Sequence, residues 1–144
     1  MFRRNIIAQL RESREDTPVQ LLIGARQTGK STLALQIAGE DYIPYRTLDD
    51  ATVFSAAAAD PEGFLRGLGE RAVIDEVQRV PELLVAIKRL IDEDRAPGKY
   101  LLTGSSHVMT LPRVSESLAG RVELLILRPL SQGELEDRSE GFID

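Results

Sequence analysis

Cysteine is absent from this chain, so no disulfide staples it, and at 144 residues none is needed. A domain of that size buries roughly 68 to 70% of its unfolded surface, enough for a core without a structural metal. Histidine occurs once, at His107, with no partner visible in the sequence, and reads as a loop residue. No apolar run approaches the roughly 20 residues of a membrane span, and no amino-terminal apolar segment with a cleavage site opens the chain. The expectation is a single soluble, cytoplasmic domain with no membrane partner. Internal repeats and low-complexity tracts are also missing; the alanine run Ala56–Ala59 is short and falls in a helix-like segment. Nor is there an excess of basic residues. With 18 Lys and Arg against 23 Asp and Glu, the net charge of −5 argues against wholesale nucleic-acid binding, while leaving room for a local basic patch.

What is present is a phosphate-binding pattern. Gly24–Thr32 reads GARQTGKST and lies between an apolar run, Val19–Ile23, and a helix-like run, LALQIA. Gly24, Gly29, Lys30 and Ser31 fit the spacing G-x-x-x-x-G-K-[ST]. A phosphate chain needs several donors at close range. The two glycines allow positive φ and close backbone approach, so the N–H groups of Ala25, Arg26, Gln27, Thr28 and their neighbours through Thr32 can line an anion nest. The following helix adds free N–H groups and the positive end of its dipole. Lys30 suits the β and γ phosphates of ATP or ADP, and the Ser31 hydroxyl suits Mg²⁺, which prefers oxygen ligands. The plainer alternative is a glycine-rich turn that happens to end in Lys-Ser; the strand-like and helix-like flanks count against it.

The rest of the chain alternates strand and helix patterns. Phe2, Ile6, Ile7 and Leu10 recur at helical spacing, with Arg3, Arg4, Arg11, Glu12, Arg14 and Glu15 forming an expected solvated face. Val19–Ile23 reads as a buried first strand, and the helix after the phosphate loop is expected to end at Gly39. Tyr42–Leu48 reads as a second strand, near a sheet edge because Pro44 cannot donate to a ladder. Asp49 and Asp50 serve either catalysis or, more simply, the N-terminus of a helix over Ala51–Ala58. Asp60-Pro61 starts a short helix through Phe64 and Leu65, ended by Gly67 and Gly69. Arg71–Glu76 is a third strand, and Pro81 opens a helix with Leu83, Leu84, Ile87, Leu90 and Ile91 on one face. After a turn at Pro97-Gly98, Lys99–Thr103 is a fourth strand. A short helix through Val114 and Leu118 then leads past Gly120 and Arg121 to a fifth strand, Val122–Leu127. This alternation predicts an α/β sandwich on a mostly parallel sheet.

The phosphate loop alone does not say what is done with the phosphate. Ala72–Glu76, AVIDE, ends a strand in two acids at the carboxyl edge, where open α/β sheets bind ligands. Asp75 is suited to hold Mg²⁺, and Glu76 to orient or deprotonate an attacking water. Acids that merely cap a strand end are the alternative.

In this order and spacing, GARQTGKST, AVIDEVQ, YLLTGSS and SLAGR resemble the ATPase core of the AAA-type P-loop proteins. The nearest likeness is to a prokaryotic AAA-domain family whose core is followed by a poorly understood carboxy-terminal domain. It covers Ile6 to Glu134. The resemblance implies a P-loop NTPase three-layer sandwich, with a five-stranded sheet in the order 5-1-4-3-2 and helices on both faces. It implies Glu76 as catalytic base, a γ-phosphate sensor at Thr103 or Ser105, and Arg121 as an arginine finger, supplied in trans if copies assemble as a homo-oligomer. Thr103 and Ser105 read equally as turn formers, and Arg121 as a surface residue. The helical lid that the wider family carries after the fifth strand is not expected within these 144 residues. Residues 1–130 are read as the core and 131–144 as the start of a following element or linker, cut from a longer protein.

Three functions compete: a Mg²⁺-dependent ATPase that moves or switches an attached domain, a nucleotide-gated interaction module with negligible turnover, and a small-molecule P-loop kinase. The target, protein or nucleic acid, is assigned to the missing carboxy-terminal region. All three need the phosphate loop. Lys30→Ala is therefore expected to weaken ATP and ADP binding together, measured by calorimetry; unchanged affinity for both would remove the phosphate-site assignment.

Overall fold

The structure is a computed structural model that describes residues 2–24, 29–105, 107–108 and 120–127, with side chains from residue 6 onward. Outside that description lie four members of the phosphate motif, Ala25 to Thr28, the segment expected to be helical around Val114 and Leu118, and residues 131–144. Those expectations lie outside the described residues.

Five parallel strands form one sheet: β1 (Val19–Ile23), β2 (Tyr45–Thr47), β3 (Ala72–Asp75), β4 (Tyr100–Gly104) and β5 (Val122–Ile126). Their order, β2-β3-β4-β1-β5, is the expected 5-1-4-3-2 read from the other edge. Helices α1 (Phe2–Asp16) and α2 (Lys30–Asp41) supply one layer, and α3 (Ala51–Ala59), α4 (Pro61–Gly67) and α5 (Glu82–Glu93) the other. The result is a three-layer α/β sandwich.

Side chains along a strand alternate between faces, so one apolar run feeds two cores. Leu21, Ile23, Ile74 and Leu102 pack with Leu83, Ile87 and Ile91 of α5. Leu22, Val73 and Leu101 pack with Leu10 of α1 and Leu33 and Ile37 of α2. Gln20 interrupts the run and is nonetheless fully buried. Its amide donates to the carbonyls of Ser13 (3.1 Å) and Thr17 (2.8 Å), and its oxygen accepts from Arg14 Nη1 at 3.3 Å.

That bond corrects one expectation. Arg14 is only 7% exposed and does not belong to a solvated face. The last turn of α1 folds over the amino ends of β1 and β4, where Arg14 Nη2 also donates to the Gly98 carbonyl at 3.2 Å. Burial lowers the affinity of its guanidinium for the proton. Arg11 stays at the rim and pairs with Glu40 and, at 2.8 Å, with Asp41.

The same contacts explain a second difference. Helix α2 runs past Gly39 to Asp41 and closes on Tyr42, which takes the left-handed conformation with φ 56°. The two added residues, Glu40 and Asp41, are the acids that Arg11 binds, so tertiary pairing outweighs the preference for a terminal glycine. β2 is also shorter than Tyr42–Leu48. Pro44 lies just before it, and its carbonyl still accepts from Val73 N at 2.8 Å. As expected of a proline-flanked strand, β2 is at the sheet edge. Asp50 caps α3 through Thr52 N at 2.8 Å, and Asp60 caps α4 through Gly63 N at 3.1 Å.

The turn before β4 is sterically fixed. Gly98 has φ +66°, and a Cβ there would lie 2.8 Å from the Arg14 carbonyl oxygen. Gly98→Ala is expected to cost about 1–3 kcal/mol in urea denaturation. A midpoint equal to that of the parent chain would show that the turn adapts to a side chain.

Candidate functional site: a phosphate and metal site at the carboxyl edge of the sheet

Parallel pairing decides which residues meet. Ile23 lies opposite Gly104, and Thr47 lies opposite Asp75, so β1, β2, β3 and β4 deliver their last residues to one edge. Gly24 N donates to the Gly104 carbonyl at 3.2 Å, carrying the ladder one step beyond β1. Gly29, with φ 87°, then turns the chain into α2, whose first residues are Lys30 and Ser31. Its positive φ is the conformation that glycine adopts without a steric penalty. Thr32 follows on the exposed side of the same turn.

Lys30 is buried, and its Nζ lies 3.0 Å from Glu76 Oε2. Ser31 Oγ donates to Asp75 Oδ2 at 2.8 Å. Two adjacent residues of the phosphate motif thus meet the two adjacent acids at the end of β3. Asp75 takes two more hydroxyl donors: Tyr45, at 2.6 Å to Oδ2, and Thr103, to Oδ1. Burial, and then the bond to Asp75, raise the pKa of the Tyr45 phenol above its ordinary value, so it remains a donor at neutral pH.

Glu76 is held differently. Its backbone is left-handed, with φ 63° and ψ 49°, an uncommon state for a residue with a side chain. Glu76 N donates to Thr103 Oγ1 at 3.0 Å. Its Oε1 accepts from Gln78 Nε2 at 2.8 Å, and the Gln78 oxygen accepts from Ser105 N at 3.1 Å. Outside the carboxylate is a cavity of about 410 Å³, lined by Lys30, Glu76, Gln78, Ser105 and His107, with Asp49 and Arg79 at one side. Asp49 and Arg79 form an ion pair of 2.7 Å.

Of the residues expected at the site, Gly24, Gly29, Lys30, Ser31, Asp75, Glu76, Thr103 and Ser105 gather at this edge. Thr103 is fully buried, its hydroxyl spanning Asp75 and the Glu76 backbone, whereas Ser105 borders the cavity. Arg121 is not brought to the cluster. It precedes Val122, which pairs with Val19 at the opposite end of β1, and its guanidinium binds Asp92 of α5 at 2.9 and 3.2 Å. That bond lowers the pKa of the Asp92 carboxyl.

Sequence reasoning missed Tyr45 and Gln78, and read His107 only as a loop residue. Tyr45 carries no motif; only its place on the strand beside β3 gives it a role. Gln78 stands within AVIDEVQ, but its reach back to Glu76 depends on the short 3-10 turn Val77–Arg79.

The donor set suits a nucleotide with Mg²⁺. Among the described residues no group of three or more His, Cys, Asp or Glu could cage a metal. Magnesium needs no such cage, since it is commonly bound through one or two protein oxygens with water and phosphate completing its shell. Ser31 and Asp75 offer that pair of oxygens, and the buried Lys30 ammonium offers a charge for phosphate.

A parallel sheet in this order, with the loop after β1 entering a helix at Gly-Lys-Ser, defines a P-loop NTPase core. Residues 16–136 match the family model described as AAA domain, and the chain belongs to that family. Uncharacterized proteins of Mycobacterium bovis and Mycobacterium tuberculosis are each 40% identical over 130 residues, which is 90% of this chain. The chain spans 29% of the length of these relatives. In fold it is similar to a Walker-type ATPase of Pyrococcus abyssi, with TM-score 0.58 and 19% identity over 99% of this chain and 58% of that one. It is likewise similar to AMPPCP-bound DnaA from Aquifex aeolicus, with TM-score 0.58 and 17% identity over 94% of this chain and 50% of that one. Among the described residues no helix is long and apolar enough to cross a membrane.

Tyr45→Phe removes one donor from Asp75 and little volume. Because groups that orient a ligand typically affect metal affinity by about 10- to 100-fold, the Mg²⁺ concentration for half-maximal nucleotide binding is expected to rise about tenfold. An unchanged Mg²⁺ titration would assign the phenol to packing alone.

Proposed function

We propose that this domain binds ATP with Mg²⁺ and hydrolyses the β–γ bond, and that the turnover drives or switches an attached domain. The observation that carries the reading is the meeting of Lys30 and Ser31, from the phosphate motif, with Asp75 and Glu76, from the end of β3. Ser31 and Asp75 would hold Mg²⁺, which supplies charge neutralisation on the β and γ phosphates. Lys30 exchanges its bond to Glu76 for one to the phosphate oxygens. That exchange leaves Glu76 Oε2 available to take a proton from the attacking water. Ser105, at the cavity wall, is suited to a γ-phosphate oxygen, while Thr103 fixes the geometry of both acids.

Arg121 is assigned to a neighbouring copy's site. Its own site lies at the far end of β1, so a role for this arginine in phosphoryl transfer requires a homo-oligomer. The relatives extend well beyond the region matched here, and the reading takes residues 1–130 as a core and 131–144 as the start of a following part. The target, protein or nucleic acid, is assigned to that part. A cytoplasmic location belongs to the same proposal.

A nucleotide-gated module with negligible turnover is favoured by one specific observation: Lys30 and Glu76 occupy each other when they pair. A kinase role fits less well, because an acid in the position of Glu76 selects water as acceptor.

Phosphate release separates these readings. Glu76→Gln keeps the shape of the side chain but removes its basicity, so ATP affinity is expected to hold while hydrolysis falls by about 10² to 10⁴. Wild-type turnover in Glu76→Gln would dismiss the base. Mixing it with Arg121→Ala, which has a sound site but no donor, is expected to restore turnover as concentration rises. A mixed oligomer without rescue would return Arg121 to the surface.

A further inference from the structure

We propose that Gln78 is the positioning residue for the Glu76 carboxylate, holding Oε1 so that Oε2 alone is presented to water. The inference rests on the reading of Glu76 as general base and adds to it a residue on which that base depends.

Glu76 has three attachments. Its N–H is bound by Thr103 Oγ1 at 3.0 Å, Oε2 by Lys30 at 3.0 Å, and Oε1 by Gln78 at 2.8 Å. The Lys30 bond is the one that phosphate removes. Once Lys30 has turned away, the left-handed backbone and the Thr103 hydroxyl fix where the side chain begins, but neither fixes the rotation of its carboxylate. Gln78 does. Its amide is itself anchored, because its oxygen accepts from Ser105 N at 3.1 Å, so the nitrogen must face Glu76. A carboxamide joins these two partners because it donates from one atom and accepts at the other.

The backbone makes room for this arrangement. A Cβ on Gly104 would lie 3.0 Å from the Gln78 oxygen and 3.5 Å from Val77 Cγ1. Glycine at 104 therefore allows the amide to lie against the end of β4. Through it, the segment after β4, with Ser105, is tied to the rotation of the base.

The test compares kcat for ATP hydrolysis and ATP affinity in Gln78→Ala, Gln78→Glu and Gly104→Ala, each made in the parent chain and in Glu76→Gln. Gln78→Glu keeps the size of the side chain but cannot donate as a carboxylate. Both Gln78 variants are expected to lose about 10- to 100-fold in kcat, the scale of a misplaced catalytic group, with ATP affinity within about twofold of the parent. Gly104→Ala should lose rate in the same way by displacing the amide. In the Glu76→Gln background none of the three should reduce the rate further, because the group they orient no longer acts as a base. Equal losses in both backgrounds would show that Gln78 acts on water or phosphate directly, and would overturn the proposal. So would wild-type kcat in both Gln78 variants while Glu76→Gln is slow, which leaves the ATPase reading intact. A Glu76→Gln chain with full activity would instead remove the base itself, and this inference with it.

Discussion

The site exists because β1 is hydrogen-bonded on both sides by parallel strands. Buried on both faces, with β4 on one edge and β5 on the other, it has no freedom to slide. A slip of one residue would carry Leu21, Leu22 and Ile23 into the wrong cores. Fixed register in turn fixes where the chain emerges: Gly24 beside Gly104, and the end of β3 beside Thr103. The hydroxyl of Thr103 is the second consequence. Placed one residue before the end of β4, it accepts from one acid's backbone and donates to the other acid's side chain.

Lys30 and Glu76 are both largely removed from water, and each satisfies the charge of the other. Such a pair balances a large desolvation penalty against a strong local attraction, so removing one partner leaves an uncompensated charge. In the proposed function phosphate would take the place of Glu76, because it brings its own negative charge to the ammonium. The carboxylate would then rely on the Gln78 amide and the open side of the cavity. Asp75 is in a different position. Its three hydroxyl partners are neutral, so they orient it without cancelling its charge.

The strands were legible because burial on both faces writes itself as short, mainly apolar runs, as in VQLLI, AVID and YLLTG. The phosphate motif and the acids of AVIDE were legible because each chemistry requires particular residue types at fixed spacing. Arg14 was not. At helical spacing it resembles any surface arginine, and only the partnership with Gln20 and Gly98, residues distant from it in kind or in sequence, places it inside. The same holds for the end of α2, where an ion pair with another helix overrode a local glycine signal. Tyr45 and Gln78 were missed because a single polar side chain has no spacing to betray it. Their roles arise from a neighbouring strand and from a 3-10 turn.

Helix α2 is also a mechanical element, held at both ends. Its first residue is pinned by Glu76 and its last turn by Arg11, which makes it a strut about 18 Å long at 1.5 Å per residue between the phosphate loop and α1. The two pins respond differently to solution conditions. The outer one is partly exposed and is screened over about 8 Å at physiological ionic strength, while the inner one is shielded by burial. Added salt thus loosens the strut at α1 and leaves it seated at the phosphate loop. On the proposed function, phosphate would do the reverse, releasing the inner pin while the outer one holds.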